Sequence, residues 1–221
     1  MKKPLTRTCR GPFLAVAILV LLAACGGGGR SELAGVETNP APVQPAPPTQ
    51  PAAPEPVLAA ASTDLTAATS NSQPGWPSWS APAGQAPVGG VGCTGTIGYH
   101  QHALVSIYKE GVRLGLPDNL GRSACTYELH VHDVTGMVHM EADVAKRFTL
   151  AQFFALWNQP LGVNATAGLA GPVRFYLIQN DTLSRYPGDP AALELVPHRE
   201  IVIVSGAAPA VLPKYRWPAD L

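Results

Sequence analysis

The stretch Cys125–Glu141, CTYELHVHDVTGMVHME, constrains the fold more than any other part of the chain. Read with period two, Tyr127, Leu129 and Val131, then Val138, Met140 and Ala142, fall on one side. His130 and His132, then Met137, His139 and Glu141, fall on the other. One apolar and one polar face is the pattern of a half-buried antiparallel pair. Here the polar face is imidazole and carboxylate rather than Ser, Thr or Lys. Asp133-Val134-Thr135-Gly136 supplies turn residues between the two runs. A two-residue loop at Val134-Thr135 sets His130 opposite His139. One at Thr135-Gly136 sets His132 opposite His139 and Glu141 opposite His130. An odd loop would send His139 to the other face, so the histidine pattern predicts an even one.

A second run, Tyr99–Gly115, reads as another hairpin with Glu110-Gly111 at its turn. Ala103, Val105 and Ile107 share one face, while His100, His102, Leu104 and Ser106 share the other. A second His-x-His therefore lies opposite an apolar face. Downstream, Thr149 is placed to cap a short helix. Leu150, Phe153, Phe154 and Trp157 follow at helical spacing as a core stripe, and Pro160 and Gly162 end it. Val173–Ile178 and Ile201–Val204 read as two further strands, joined through turn residues at Asn180-Asp181 and Pro187–Pro190. His198 stands alone among loop residues and is expected to be solvated. PKYRWPADL reads as a terminal strap. The expected fold is a β-rich α+β domain over 93–221, with two N-terminal hairpins, one short helix and two further strands. A β-grasp-like arrangement and a β-sandwich with one helix are both compatible with that order.

The chain before this domain has a different composition. Lys2, Lys3, Arg7 and Arg10 precede the apolar run Phe13–Ala24, the order of a signal peptide over 1–24 and too short for a comfortable membrane span. Residues 25–92 are low in complexity and carry many of the 23 Pro and 22 Gly of the 221 residues, so they read as a disordered tether. Trp76 and Trp79 are its aromatics and read either as docked on the domain or a partner or as an exposed linker end. The formal charge is zero, which argues against a nucleic-acid partner.

Leu22-Ala23-Ala24-Cys25 resembles the lipobox of bacterial lipoproteins. The resemblance implies cleavage before Cys25, diacylglycerol on its sulfur and acylation of the new amino terminus, a stable anchor where one chain would be marginal. Gly26 after the cysteine implies the outer membrane, with the domain in the cell envelope. Export leaves Cys93 and Cys125 as the pair within the domain, and an oxidising compartment favours a disulfide between them. Thiolate metal ligands or a redox pair are the alternatives. A bridge would bring the two histidine-bearing hairpins together, giving His100, His102, His130, His132 and His139, with Asp133 and Glu141 as neighbours or further ligands.

HQHALVSIYKEG, CTYELHVHDVTGMVHMEA and FTLAQFFALW together resemble a family of secreted or membrane-attached prokaryotic His-rich proteins. The shared pattern is H-x-H-x-x-L, then C-x-Y-x-L-H-x-H-D-x-x-G-x-x-H-x-E, then F-T-L-x-x-F-F-x-x-W. It covers Tyr99–Trp157 closely, and Val131 and Asn158 depart from it. The resemblance supports the motif and names no reaction.

Several neutral imidazoles on one face suit a transition metal such as Cu or Zn. Glu141 would then be a ligand, a partner fixing a tautomer, or a base toward bound water. Three readings follow: a membrane-anchored protein that captures, buffers or transfers metal, a metal-dependent enzyme, and a metal-free module for an envelope protein partner. Nucleophilic catalysis is disfavoured, since no cysteine is left free and no Ser lies in a strand-to-helix elbow.

Overall fold

The computed structural model describes residues 54–219 and 221. The leader, Cys25 and the first part of the tether lie outside the described residues. The strands are β1 (Val57–Asp64), β2 (Tyr99–Lys109), β3 (Val112–Leu114), β4 (Leu129–His130), β5 (Met137–Ala142), β6 (Phe148–Thr149), β7 (Ala165–Thr166), β8 (Leu169–Ala170), β9 (Val173–Gln179), β10 (Thr182–Tyr186), β11 (Glu194–Leu195), β12 (Glu200–Ser205) and β13 (Val211–Arg216). Two α-helices join them, α1 (Leu65–Thr69) and α2 (Leu150–Trp157). The domain is β-rich α+β.

Its centre is a seven-stranded mixed sheet in the order β10-β9-β12-β2-β5-β4, with β3 also paired to β2. Eleven residues of β2 are long enough to serve β5 along the first half and β3 at the end of the same edge. The β2–β3 turn is Glu110-Gly111, with φ of 47° and 77°, the left-handed pair that a two-residue hairpin needs. The other edge of β2 pairs in parallel with β12, Glu200 lying beside Leu104.

One sheet face carries Ala103, Val105 and Ile107 of β2 into a core with Phe153, Phe154 and Trp157 of α2. Thr149 caps α2 through a reciprocal capping box with Gln152, and Asn158 ends it at φ 58°. Burying three aromatic side chains of this size against the sheet stabilises by several kcal/mol in order of magnitude.

The opposite face carries the histidines, and here the expected architecture needs two corrections. The face is not left to solvent. The disordered tether expected through residue 92 is also not what residues 54–92 form. β1 pairs in parallel with β13, and α1 follows directly, capped by Asp64 accepting from the Ala67 N–H at 2.9 Å. Leu65, Leu104 and Tyr215 form one buried cluster with Met137 and Trp217 packed on it. Tyr108, Tyr176, Val202, Val204 and Leu212 form another. The Pro- and Ala-rich composition of 54–92 conceals a few anchors that meet distant parts of the domain. Trp76 Nε1 donates to the Ala167 carbonyl at 2.7 Å, with its ring edge-on to Trp157. Trp79 Nε1 donates to the Leu156 carbonyl at 2.9 Å, and Val91 is fully buried.

Two further departures are smaller. The segment between the last expected strands contains β10, which folds back on β9 through Asn180-Asp181, both at positive φ. The terminal strap is a true strand, β13. His198 is exposed, as expected for a solvated loop residue, and its Nε2 lies 3.0 Å from the Leu221 carbonyl oxygen. Cys93 and Cys125 form a disulfide, with Cα atoms 5.8 Å apart. Among the described residues no helix is long and apolar enough to cross a membrane.

Candidate metal centre

Sheet order places the histidines. β5 lies between β2 and β4, so His139 has a histidine-bearing strand on each side. The register sets His139 opposite His102 on one flank and opposite His130 on the other, with Glu141 opposite His100. This is the even parity that the histidine pattern requires. The ladder closes only at His130, so Val131–Gly136 forms a connection wider than two residues. Asp133 builds that connection, its Oδ1 accepting from the Thr135 N–H at 2.9 Å and from the Thr135 hydroxyl. Gly136 is obligatory there: at φ 83°, a Cβ would come within 2.2 Å of the Val105 carbonyl oxygen. Arg113 ties the connection down, donating to the Thr135 carbonyl and, at 3.0 Å, to Ser72 of the N-terminal cover.

All five predicted histidines converge on this face. His139 Nδ1 lies 3.0 Å from His102 Nε2 and 3.2 Å from His100 Nε2. His130 Nε2 lies 3.2 Å from His132 Nε2. Glu141 Oε1 stands 3.3 Å from His100 Nε2 and 3.8 Å from both His130 Nε2 and His139 Nδ1. His102, His130, His139 and Glu141 are buried, while His100 and His132 are exposed. Asp133 is exposed and engaged in its turn; it reaches the site as a negative charge near His132. His198 stands apart. The disulfide does not itself join the histidine strands, which pair directly. It anchors the segment leading into β4, where Cys93 bridges to Tyr127.

Burial decides protonation. Desolvation holds His139 down to about 2 and His130 down to about 4, and lowers His132 as well. Neighbouring histidines add to the shift at His139 and His130. The Tyr127 carbonyl, 2.9 Å from His130 Nδ1, partly opposes it. At neutral pH the contacts of His130 and His139 with Glu141 are therefore not ion pairs. A carbonyl only accepts, so His130 carries its proton on Nδ1 and turns the Nε2 lone pair toward the site.

Neutral imidazoles with nitrogens this close match the demands of a metal. Two nitrogens bound at ~2.0–2.1 Å in tetrahedral array are separated by about 3.3–3.4 Å. The contacts of 3.0–3.2 Å within each pair are close to that edge. Ligand atoms fall within 4.8 Å of one another in two groups, His100/His102/His139 and His130/His132/His139. Glu141 belongs to neither group but adjoins both. Beside the second group opens a cleft of about 400 Å³ lined by Thr66, His132, Asp133, Thr135, Met137, His139, Pro218 and Leu221. Its N- and C-terminal walls carried no local signal in the sequence, because they reach the site only through β1–β13 pairing. Comparison with protein-family models, with curated proteins and with solved structures finds no match to this chain.

Proposed function

We propose that this protein is a membrane-anchored metal-binding lipoprotein of the cell envelope, and that its histidine face captures and passes on a transition metal ion, Cu or Zn. The observation that carries the reading is the pair of histidine groups sharing His139, with His130 and His139 held neutral by burial. Imidazole is a borderline donor that suits both metals. His139 would be the shared buried ligand, completed by His100 and His102 on one side or by His130 and His132 on the other, and Glu141 a carboxylate that offsets cationic charge. The lipobox-like LAAC supports attachment through Cys25, and the paired Cys93 and Cys125 fit an oxidising compartment.

Elemental analysis of the full chain, purified without an affinity His-tag and reconstituted with Cu(II) or Zn(II), tests the reading. Stoichiometric, chelator-resistant metal is expected, and its absence overturns the proposal. Radiolabelled palmitate should enter the wild-type chain and fail to enter Cys25→Ser; equal labelling would sink the lipid anchor alone.

The cleft against His132 favours a second reading, a metal-dependent enzyme in which a substrate reaches an open coordination position. A bound metal would there supply Lewis acidity or a lowered water pKa. Glu141, beside three histidines, would hold or move a proton, and the cleft walls would orient the substrate. No hydrolytic or oxidative turnover by the metal-loaded chain would leave the binding reading alone.

A further inference from the structure

The five imidazoles do not make one ligand set. Two nitrogens on the same ion at ~2.0–2.1 Å are at most about 4.2 Å apart. The histidine nitrogens close to within 4.8 Å only as two triads, and His139 is the member common to both. The cause is topological: β5 is flanked by β2 and β4, so its one inward histidine meets a His-x-His on each side. Each triad also has one exposed histidine and two buried ones, and the exposed members differ. His100 has 46% of its side chain exposed, on the β2 flank. His132 opens into the cleft on the β4 flank, whose lining does not include His100. Glu141 Oε1 adjoins both triads, 3.3 Å from His100 Nε2 and 3.8 Å from His130 Nε2.

From this we infer a relay that deepens the metal-binding reading and rests on it: one ion is held by His139 and exchanges between the His100/His102 pair and the His130/His132 pair. The exchange is a ligand substitution. Bonds from the metal to the ring nitrogens of His100 and His102 break as bonds to those of His130 and His132 form. Each bond is made through a ring-nitrogen lone pair, so the metal's oxidation state does not change. Glu141 stays beside the cation at both stations and lowers the cost of the intermediate in which neither pair is complete. His100 meets solvent outside the lining of the His132 cleft, so an ion received at one exposed histidine can leave by the other. A protein built only to store an ion needs neither the second pair nor the second opening.

Zn(II) titration of the full chain against a competing chelator tests the relay on four proteins: wild type, His100→Ala/His102→Ala, His130→Ala/His132→Ala, and His139→Leu. One ion per chain is expected in the wild type. Each double variant should still bind one ion, at least one of the two keeping affinity within about threefold of wild type because the stations' constants add, and His139→Leu should bind none. Loss of all binding in either double variant, with an unchanged circular dichroism spectrum, would mean one indivisible site and would overturn the relay while leaving metal binding intact. Two ions per wild-type chain would also overturn it, because the triads would then be filled separately. No ion in the wild type overturns relay and metal binding together. Should any variant fail to fold, imidazole NMR of the Zn(II)-loaded wild type decides instead. Exchange-averaged shifts for His100, His102, His130 and His132, with a fully bound shift for His139, support the relay. A fixed bound set of three or four histidines overturns it.

Discussion

His130 donates its Nδ1–H to the Tyr127 carbonyl at 2.9 Å, three residues back in the same connection. That bond selects one tautomer before any ligand arrives, and burial keeps the ring neutral, with its pKa held down to about 4. The unfolded ring titrates at ~6.5. Between those values the unfolded chain binds more protons than the folded one, so the stability of the metal-free protein rises with pH through this window. It is fully present above 6.5 and is lost as pH falls toward 4. His139 acts in the same direction to a lower pH. His130→Gln keeps an amide donor for Tyr127 and does not titrate. Urea unfolding of metal-free protein from pH 7.5 to 4.5 should show a loss in the wild type larger by an amount on the order of 1–3 kcal/mol than in the variant. Parallel curves would refute the buried neutral assignment.

The same neutrality sets how acid competes for a bound metal. Three free histidines at pH 5 would each be almost wholly protonated, lowering metal affinity by ~30-fold per ligand. Because burial lowers the pKa values of His130, His132 and His139, the folded site should lose far less Zn(II) affinity between pH 7 and pH 5 than three free histidines would. Equilibrium dialysis at the two values measures this directly, and a thousandfold loss would show that the ligands lie among ordinary exposed histidines.

Local chemistry was legible in the sequence wherever one residue type answers one backbone demand. Glu110-Gly111 announces a tight hairpin, Thr149 a helix start, and the period-two placement of His130, His132 and His139 their common face. What could not be read is what closes over that face. β1 and α1 lie in Pro- and Ala-rich sequence whose few apolar anchors, Leu58 and Leu65, have no period of their own, while Trp76 and Trp79 farther on dock on the α2 side of the sheet. Their partners are remote in sequence, from Leu65 packed with Leu104 to Trp76 bonded to Ala167 and Val57 paired with Val211. The parallel β2–β12 pairing is equally remote and leaves no turn to mark it. The same pairing buries Glu200, which the sequence shows only as one charge among loop residues.

Because residues 54–92 contribute to the packing on both faces of the sheet, their removal has a defined cost. The Trp76 ring packs edge-on to Trp157 at 4.8 Å between centroids, and its N–H is satisfied by Ala167. Trp76→Ala should lower unfolding free energy by about 2–4 kcal/mol, in the lower part of the range for large aromatic truncations because the ring is only partly buried. A chain beginning at residue 91 would also lose β1 and α1 and uncover Leu104, Val202 and Val204. It should bind hydrophobic dye and unfold without a sharp transition, whereas a chain beginning at residue 54 should unfold cooperatively. Equal cooperativity would show that the cover is dispensable.

Glu200 gives a test of opposite sign to the histidines. Its side chain lies inside the sheet's covered face, and Oε1 has no hydrogen-bond partner among the described residues. Burial pushes its pKa up to about 7, against the pull of the Ser106 hydroxyl and the Arg113 guanidinium. An unfolded glutamate titrates at ~4.3. Between these values the folded chain holds the proton that the unfolded chain has released, so this group's contribution is fully present below 4.3 and is lost as pH rises through 7. Glu200→Gln presents a neutral amide at every pH and removes that loss. Relative to wild type, the variant should gain stability as pH rises from 4.5 to 8, by an amount on the order of 1–3 kcal/mol, with the histidine contribution common to both proteins. Paired thermal melts across that range measure the difference. A constant offset between the two curves would mean that Glu200 is ionised in the fold, with Arg113 as a full counter-charge.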